Sequence, residues 1–184
     1  MTLKNTLARW GHVSQFLHWL IVGLIITQVI LANLAEDLPI GPRKIARYAQ
    51  HKSVGITILG LAVLRLLWRW ANPTPALPTT LKPYERALAH ITHFGLYLLL
   101  FAMPLTGWMM TSARGFPVSW FGFFQLPDFV AKNDGLYNAM KDTHDSLALA
   151  LYAIVFLHVA GALKHHFLLK DDVLRRMLPF TKKR

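Results

Sequence analysis

One apolar stretch, Thr143 to Phe167 (THDSLALALYAIVFLHVAGALKHHF), narrows the folds open to this chain more than any other. From Ser146 to Leu163 it runs without any Asp, Glu, Lys or Arg. A helix that crosses a bilayer needs about 20 predominantly apolar residues, so the stretch reads as a membrane span with polar ends. It nevertheless carries His144 and His158, with His165 and His166 at its close. On a helix the first two lie about 21 Å apart in rise and only about 40° apart around the axis. One face of one span thus presents an imidazole near each side of the bilayer. Ionisable groups in such places are costly and mark functional sites.

The rest of the chain supplies three more spans. Between Arg9 and Glu36 no residue carries a full charge, and the first span is placed at about 14–34. The second, about 50–70, is weaker. Only Ser53 to Leu64 is uncharged, so it crosses with His51 and Lys52 at one interface and with Arg65 and Arg69 snorkelling to the other, where Trp68 and Trp70 suit an interfacial belt. A stiff linker, Asn72 to Pro83, holds four prolines. The third span, about 87–110, contains Pro104 as an expected kink, and the fourth is placed at 144–167. The long connection 111–143 holds Phe116, Trp120, Phe121, Phe123, Phe124 and Phe129. A loop so aromatic is expected on the bilayer surface or folded over the helices. The expected fold is an all-α membrane protein, a four-helix transmembrane bundle of up-down topology forming a single domain over 1–184.

Composition agrees. Of 184 residues only 16% are charged, and mean hydropathy is +0.35, against roughly 25% charged residues in soluble domains. The absence of cysteine excludes disulfides, covalent c-type haem and thiolate metal sites. The net charge of +11 is assigned to membrane borders rather than to nucleic acid. The N-terminal MTLKNTLARWGH is not read as a cleavable signal, because the apolar run after it is too long. Thirteen Lys and Arg fall on the side of the N-terminus, the linker and the C-terminal tail, which ends in Lys182, Lys183 and Arg184. Seven fall on the other: Arg43, Lys44, Arg47, Lys52, Arg114, Lys132 and Lys141. This bias puts the N- and C-termini in the cytoplasm.

The up-down arrangement sorts the histidines by depth. His51 and His144 come together at the outer side. His18, His90, His93, His158, His165 and His166 lie towards the inner side, and His12 precedes the first span. Two imidazoles facing each other at each depth suit a planar cofactor held between helices, and bis-histidine b-type haem needs no cysteine. Gly23, Gly55, Gly60, Gly95 and Gly161 leave room for a macrocycle. A di-iron site is disfavoured, since the only glutamates, Glu36 and Glu85, lie outside the spans. A divalent-metal transporter would be expected to offer intramembrane carboxylates, and the uncharged cores contain none.

FLHWL around His18, HKSVGI from His51, RLLWRWANPTP, LAHITHFGLYLLL, PLTGW, and THDSLA…LHVAGALKHHF with its KDD…RRMLP tail occur in this order. Together they resemble the prokaryotic cytochrome b561 family in its small four-span form, over nearly the whole chain. The resemblance implies two non-covalent haem b groups, the outer ligated by His51 and His144 and the inner by His18 and His158. A third-span histidine, His90 or His93, stays open as a replacement for His18. It also implies a multi-pass protein of the bacterial inner membrane, and an oxidoreductase that oxidises superoxide outside and reduces ubiquinone.

On that reading Lys52, with Arg43, Lys44, Arg47 and Lys141, attracts the superoxide anion. His165, or one of His90 and His93, serves the quinone as hydrogen-bond partner and proton donor. The alternative is an electron relay between the quinone pool and a periplasmic or membrane redox partner, docked on the aromatic loop.

Overall fold

The computed structural model describes residues 2–78 and 81–179. Thr79 and Thr80 of the linker, and Lys182, Lys183 and Arg184 of the basic tail, lie outside the described residues. Four helices are long and apolar enough to cross a membrane: α1 (His12–Glu36), α2 (Pro42–Trp70), α3 (Pro83–Ala113) and α4 (Asp134–Leu163). A π-helical turn, Lys164–Leu168, continues α4. The first three expected spans lie inside these helices and the fourth, 144–167, lies inside α4 and its π-helical turn; each helix runs further than the apolar core alone indicates.

Local chemistry explains the extra turns. Pro42 opens α2, where its missing N–H costs nothing and its fixed φ suits a helix. Asn133 caps α4: its Oδ1 accepts from Leu136 N at 2.9 Å, and Asp134 adds a negative charge to the first turn. Before α3, the Lys82 N–H donates to Glu85 Oε2 at 3.1 Å, half of a capping box. Lys44 Nζ closes the end of α1 on the carbonyls of Glu36 and Leu38. Helix α3 continues through Pro104.

The connection expected over 111–143 is shorter, since 134–143 is helical, and it holds a small antiparallel hairpin. Strands β1 (Val118–Trp120) and β2 (Phe124–Leu126) pair with Trp120 opposite Phe124. Phe121 (φ 48°) and Gly122 (φ 82°) form its tip in left-handed conformation, unusual for a bulky residue such as Phe121. The hairpin is tied to α2. Ser53 Oγ shares its proton between Ala49 O at 2.9 Å and Ser119 O at 3.0 Å and accepts from Phe121 N at 3.0 Å, and Trp120 Nε1 donates to Thr57 Oγ1 at 3.0 Å. Phe116, Phe121, Phe123, Phe124 and Phe129 stay exposed.

The chain divides into two compact units, each drawing a stretch from all four helices. One comprises Met1–Leu20, Val63–Leu98 and Leu151–Arg184; the other comprises Ile21–Ala62 and Leu99–Ala150. In the second unit Leu31, Val54 and Ile58 form an apolar core, joined by Leu24, Ile25 and Leu100. In the first, buried Asn5 accepts from Gly11 N and Ser14 Oγ and donates to Pro73 O, fixing the N-terminal segment between α1 and the linker. Gly11 is obligatory there, because a Cβ would collide with the backbone of Leu3 and Lys4. No residue of α4 is buried. Side chains such as Leu149 and Phe156, 70% and 71% exposed, are as expected where lipid is the solvent.

Candidate haem-binding sites

In the second unit α2 and α4 bring His51 and His144 together, with ring centroids 6.4 Å apart and planes at 70°. The His51 Nδ1–H donates to the carbonyl of Gln28 on α1 at 3.3 Å. The Thr106 hydroxyl donates within α3 to Ala102 O and Met103 O, so its oxygen accepts from His144 Nδ1 at 3.2 Å. In both rings this fixes the tautomer and leaves Nε2 as the free donor atom, the usual arrangement for a metal-binding imidazole. Gly107 gives His144 its space: a Cβ there would stand 3.3 Å from His144 Cε1.

In the first unit α1 and α4 bring together His18 and His158, with centroids 6.2 Å apart and planes at 71°. His93 of α3 also meets His158, with centroids 5.3 Å apart. His90, one turn earlier, is exposed.

These separations test the fit of a haem. Metal–imidazole bonds are about 2.0–2.1 Å and the bonded nitrogen lies about 1.1 Å from the ring centroid, so two imidazoles on opposite faces of one iron hold their centroids about 6.3 Å apart. The His51–His144 and His18–His158 pairs meet that requirement. The His93–His158 pair is closer than the requirement allows. Among the described residues no group of three or more His, Cys, Asp or Glu comes together to hold a metal.

The glycines divide. Cβ atoms at Gly23, Gly60 and Gly161 would meet nothing within 4 Å, whereas at Gly55 and Gly95 they would meet Gln28 Nε2 at 3.0 Å and Ile154 Cδ1 at 3.1 Å. The last two serve close helix packing and leave no free room. Gly107 and Thr106, both inside PLTGW, are the site residues that spacing alone did not single out. The signal was present: Gly107 follows His93 on α3 at the same interval by which His158 follows His144 on α4.

Around the first unit's pair, Arg65 and Arg69 are not isolated side chains. Both guanidinium groups lie over the Tyr97 ring, 5.9 and 5.6 Å from its centroid. His165 is not a solvated helix end either: its Nδ1 meets Asp171 Oδ2 at 2.5 Å with both side chains mostly covered. The π-helical turn and the left-handed Lys170 (φ 53°) bring Asp171 back to it. His166 Nδ1 is buried without a partner. Beside Asp171 opens a cavity of about 430 Å³ lined by Lys82, Tyr84, Glu85, Lys164, Leu169, Lys170 and Asp171, where Lys164 and Glu85 pair at 2.6 Å.

In the second unit Lys52 is half-buried and its Nζ points to Pro117 O at 3.5 Å. Lys141 pairs with Asp145, Arg47 with Gln50, and Lys44 with backbone carbonyls. Of these four cations, Lys141 has its charge offset by a carboxylate, while the partners named for the others are neutral.

Comparisons with known proteins agree with this architecture. The family described as Prokaryotic cytochrome b561 matches residues 9–180. "Cytochrome b561 homolog 2" of Escherichia coli K12 is 34% identical over 97% of this chain and 95% of its own length. "Probable superoxide oxidase CybB" of Yersinia pestis is 36% identical over 89% of this chain and 92% of its own. "Cytochrome b562" of Cereibacter sphaeroides is 29% identical over 88% and 90%. With four membrane-length helices and a family match over nearly its whole length, the chain belongs to the prokaryotic cytochrome b561 family, multi-pass bacterial membrane proteins that transfer electrons and whose implied cofactor is b-type haem.

Proposed function

We propose that the protein is a two-haem cytochrome that takes electrons from superoxide at the end bearing His51 and His144 and delivers them to ubiquinone at the end bearing His165. The observation that carries this reading is the pair of imidazole separations, 6.4 Å for His51–His144 and 6.2 Å for His18–His158. Each is the spacing one iron needs between two axial imidazoles, and the same criterion favours His18 over His93. The haem supplies one-electron redox chemistry when bound; the chain supplies binding, orientation and proton handling.

Gln28 O and Thr106 Oγ1 hold the His51 and His144 rings in register through their Nδ1 atoms. Lys52 offers the superoxide anion a cation beside His51. Two superoxide anions each give up one electron and leave as dioxygen, and one ubiquinone takes the two electrons and two protons. His165, held by Asp171, donates a hydrogen bond to a quinone oxygen and hands on a proton. The Lys and Arg bias supports a cytoplasmic position for the His165 end, in the inner membrane. Support for superoxide as donor comes from the likeness to the Yersinia protein of that name.

The test is stopped-flow absorbance of the purified, oxidised protein mixed with superoxide, with and without added ubiquinone. Haem reduction followed by quinone-dependent reoxidation is expected. A haem spectrum untouched by superoxide but reduced by quinol would favour the relay to a redox partner, and absence of a haem spectrum would defeat the reading.

A further inference from the structure

Arg65 and Arg69 pose a question that ligation of iron leaves open. They lie one helical turn apart on α2 and share the Tyr97 ring. Like charges at that spacing repel, and a cation inside a membrane span calls for a counter-ion. Among the described residues neither guanidinium lies in an ion pair. The nearby acids are engaged, Glu85 with Lys164 and Asp171 with His165. Arg65 makes a long hydrogen bond, 3.4 Å to Ser14 O.

A third donor is orphaned in the same place. Trp68 Nε1 is buried without an acceptor, and Trp68 lines one crevice with Arg65, Arg69, Tyr97, Trp10 and Ser14. An unmet buried donor costs about 1–3 kcal/mol. The crevice adjoins the histidines of the same unit: Ser14 and Tyr97, which line it, lie one helical turn from His18 on α1 and from His93 on α3. On α2, Arg65 also follows His51 at the interval by which His158 follows His144 on α4, so it returns to the helix face of His51 deeper in the span.

Two fork-shaped cations and an indole N–H converging beside a haem-sized pair of imidazoles fit two carboxylates attached to one ligand. We infer that Arg65 and Arg69, helped by Trp68, bind the propionate groups of the haem held by His18 and His158. Tyr97 keeps the two guanidiniums stacked and oriented until the carboxylates neutralise them. This inference rests on the two-haem reading.

The experiment is a spectroelectrochemical titration of the haem-loaded protein, comparing wild type with R65Q/R69Q. His158→Ala identifies which of the two midpoints belongs to this haem. Positive charge beside a haem favours its reduced form, so the double variant is expected to lower that midpoint and leave the other unmoved. Two bound haems with both midpoints unchanged would overturn the inference while leaving the reading beneath it intact. No haem in the wild type would instead defeat that reading. If R65Q/R69Q loses one haem or fails to accumulate, R65K/R69K decides. Recovery of the haem by restored charge supports the carboxylate contact. A site still empty or a chain still unfolded with both charges present means that the arginines serve packing on Tyr97, and overturns it.

Discussion

Gly107 and His144 are in direct apposition: a side chain of even one carbon at Gly107 would stand 3.3 Å from the His144 Cε1 atom. A methyl group demands a small shift, which the ring can make. A branched side chain cannot be placed without moving the ring off its bond to Thr106. Gly107→Ala is expected to keep both haems, and Gly107→Val to fall from about two haems per chain to about one. The haem-to-protein ratio after purification checks this; full occupancy in the valine variant would show that the apposition does not bear on the site.

His93 and His18 compete for the same partner, and their distances to His158 separate them. His18→Ala should lose one haem. His93→Ala should keep two, since its ring, at 5.3 Å against 6.2 Å for His18, stands too close to share an iron with His158. The opposite pattern in haem content and absorption bands would exchange their roles.

Asp171 fixes the His165 ring through Nδ1 and is itself held by the Val173 N–H at 3.0 Å. Asp171→Asn keeps the shape and removes the carboxylate that orients the ring. Haem content and the rate of reduction by superoxide should stay as in the wild type. Quinone-dependent reoxidation should slow by roughly tenfold or more, at the low end of what general acid catalysis contributes. Equal slowing of both steps would place Asp171 outside quinone chemistry.

Ser53 is almost completely buried and serves the hairpin twice, as donor to Ser119 and acceptor from Phe121. Ser53→Ala leaves the Phe121 N–H without its partner, at a cost of about 1–3 kcal/mol. The left-handed Phe121 should then relax, and limited proteolysis between Trp120 and Phe124 should speed up. A cutting rate equal to wild type would mean that the hairpin is held by its aromatic contacts alone.

Lys52 is the cation closest in sequence to His51, and its partner is only a backbone carbonyl at 3.5 Å. Lys52→Glu should slow the reaction with superoxide several-fold at low ionic strength, with the deficit shrinking as salt rises. Indifference to both charge and salt would remove electrostatic steering.

The spans were legible because a charge-free run of membrane length has few other physical explanations. Their full extent was not: residues 42–50 and 134–143 are polar, and they are helical because Pro42 and Asn133 start those helices well outside the apolar core. The strands Val118–Trp120 and Phe124–Leu126 are too short to show an alternating pattern. The meeting of His51 with His144 followed from spacing and up-down order. The roles of Thr106, Gly107 and Asp171 depend on how one element is rotated against another, which spacing along a single helix does not carry. The sequence shows how far Arg65 and Arg69 lie from the span centre but not the Tyr97 ring beneath them.

Helix α4 has no buried residue, and it supplies one member of each imidazole pair. Among the described residues its side chains make few other polar attachments, His144 to Thr106 and Asp134 to Arg114, with Lys164 of the π-helical turn pairing with Glu85. On the proposed ligation, two iron–nitrogen bonds rivet this helix to α1 and α2, where apolar burial contributes little. A chain that has not acquired its haem would present α4 as a loosely attached helix, open to membrane proteases, so the steady-state amount of protein should follow haem supply.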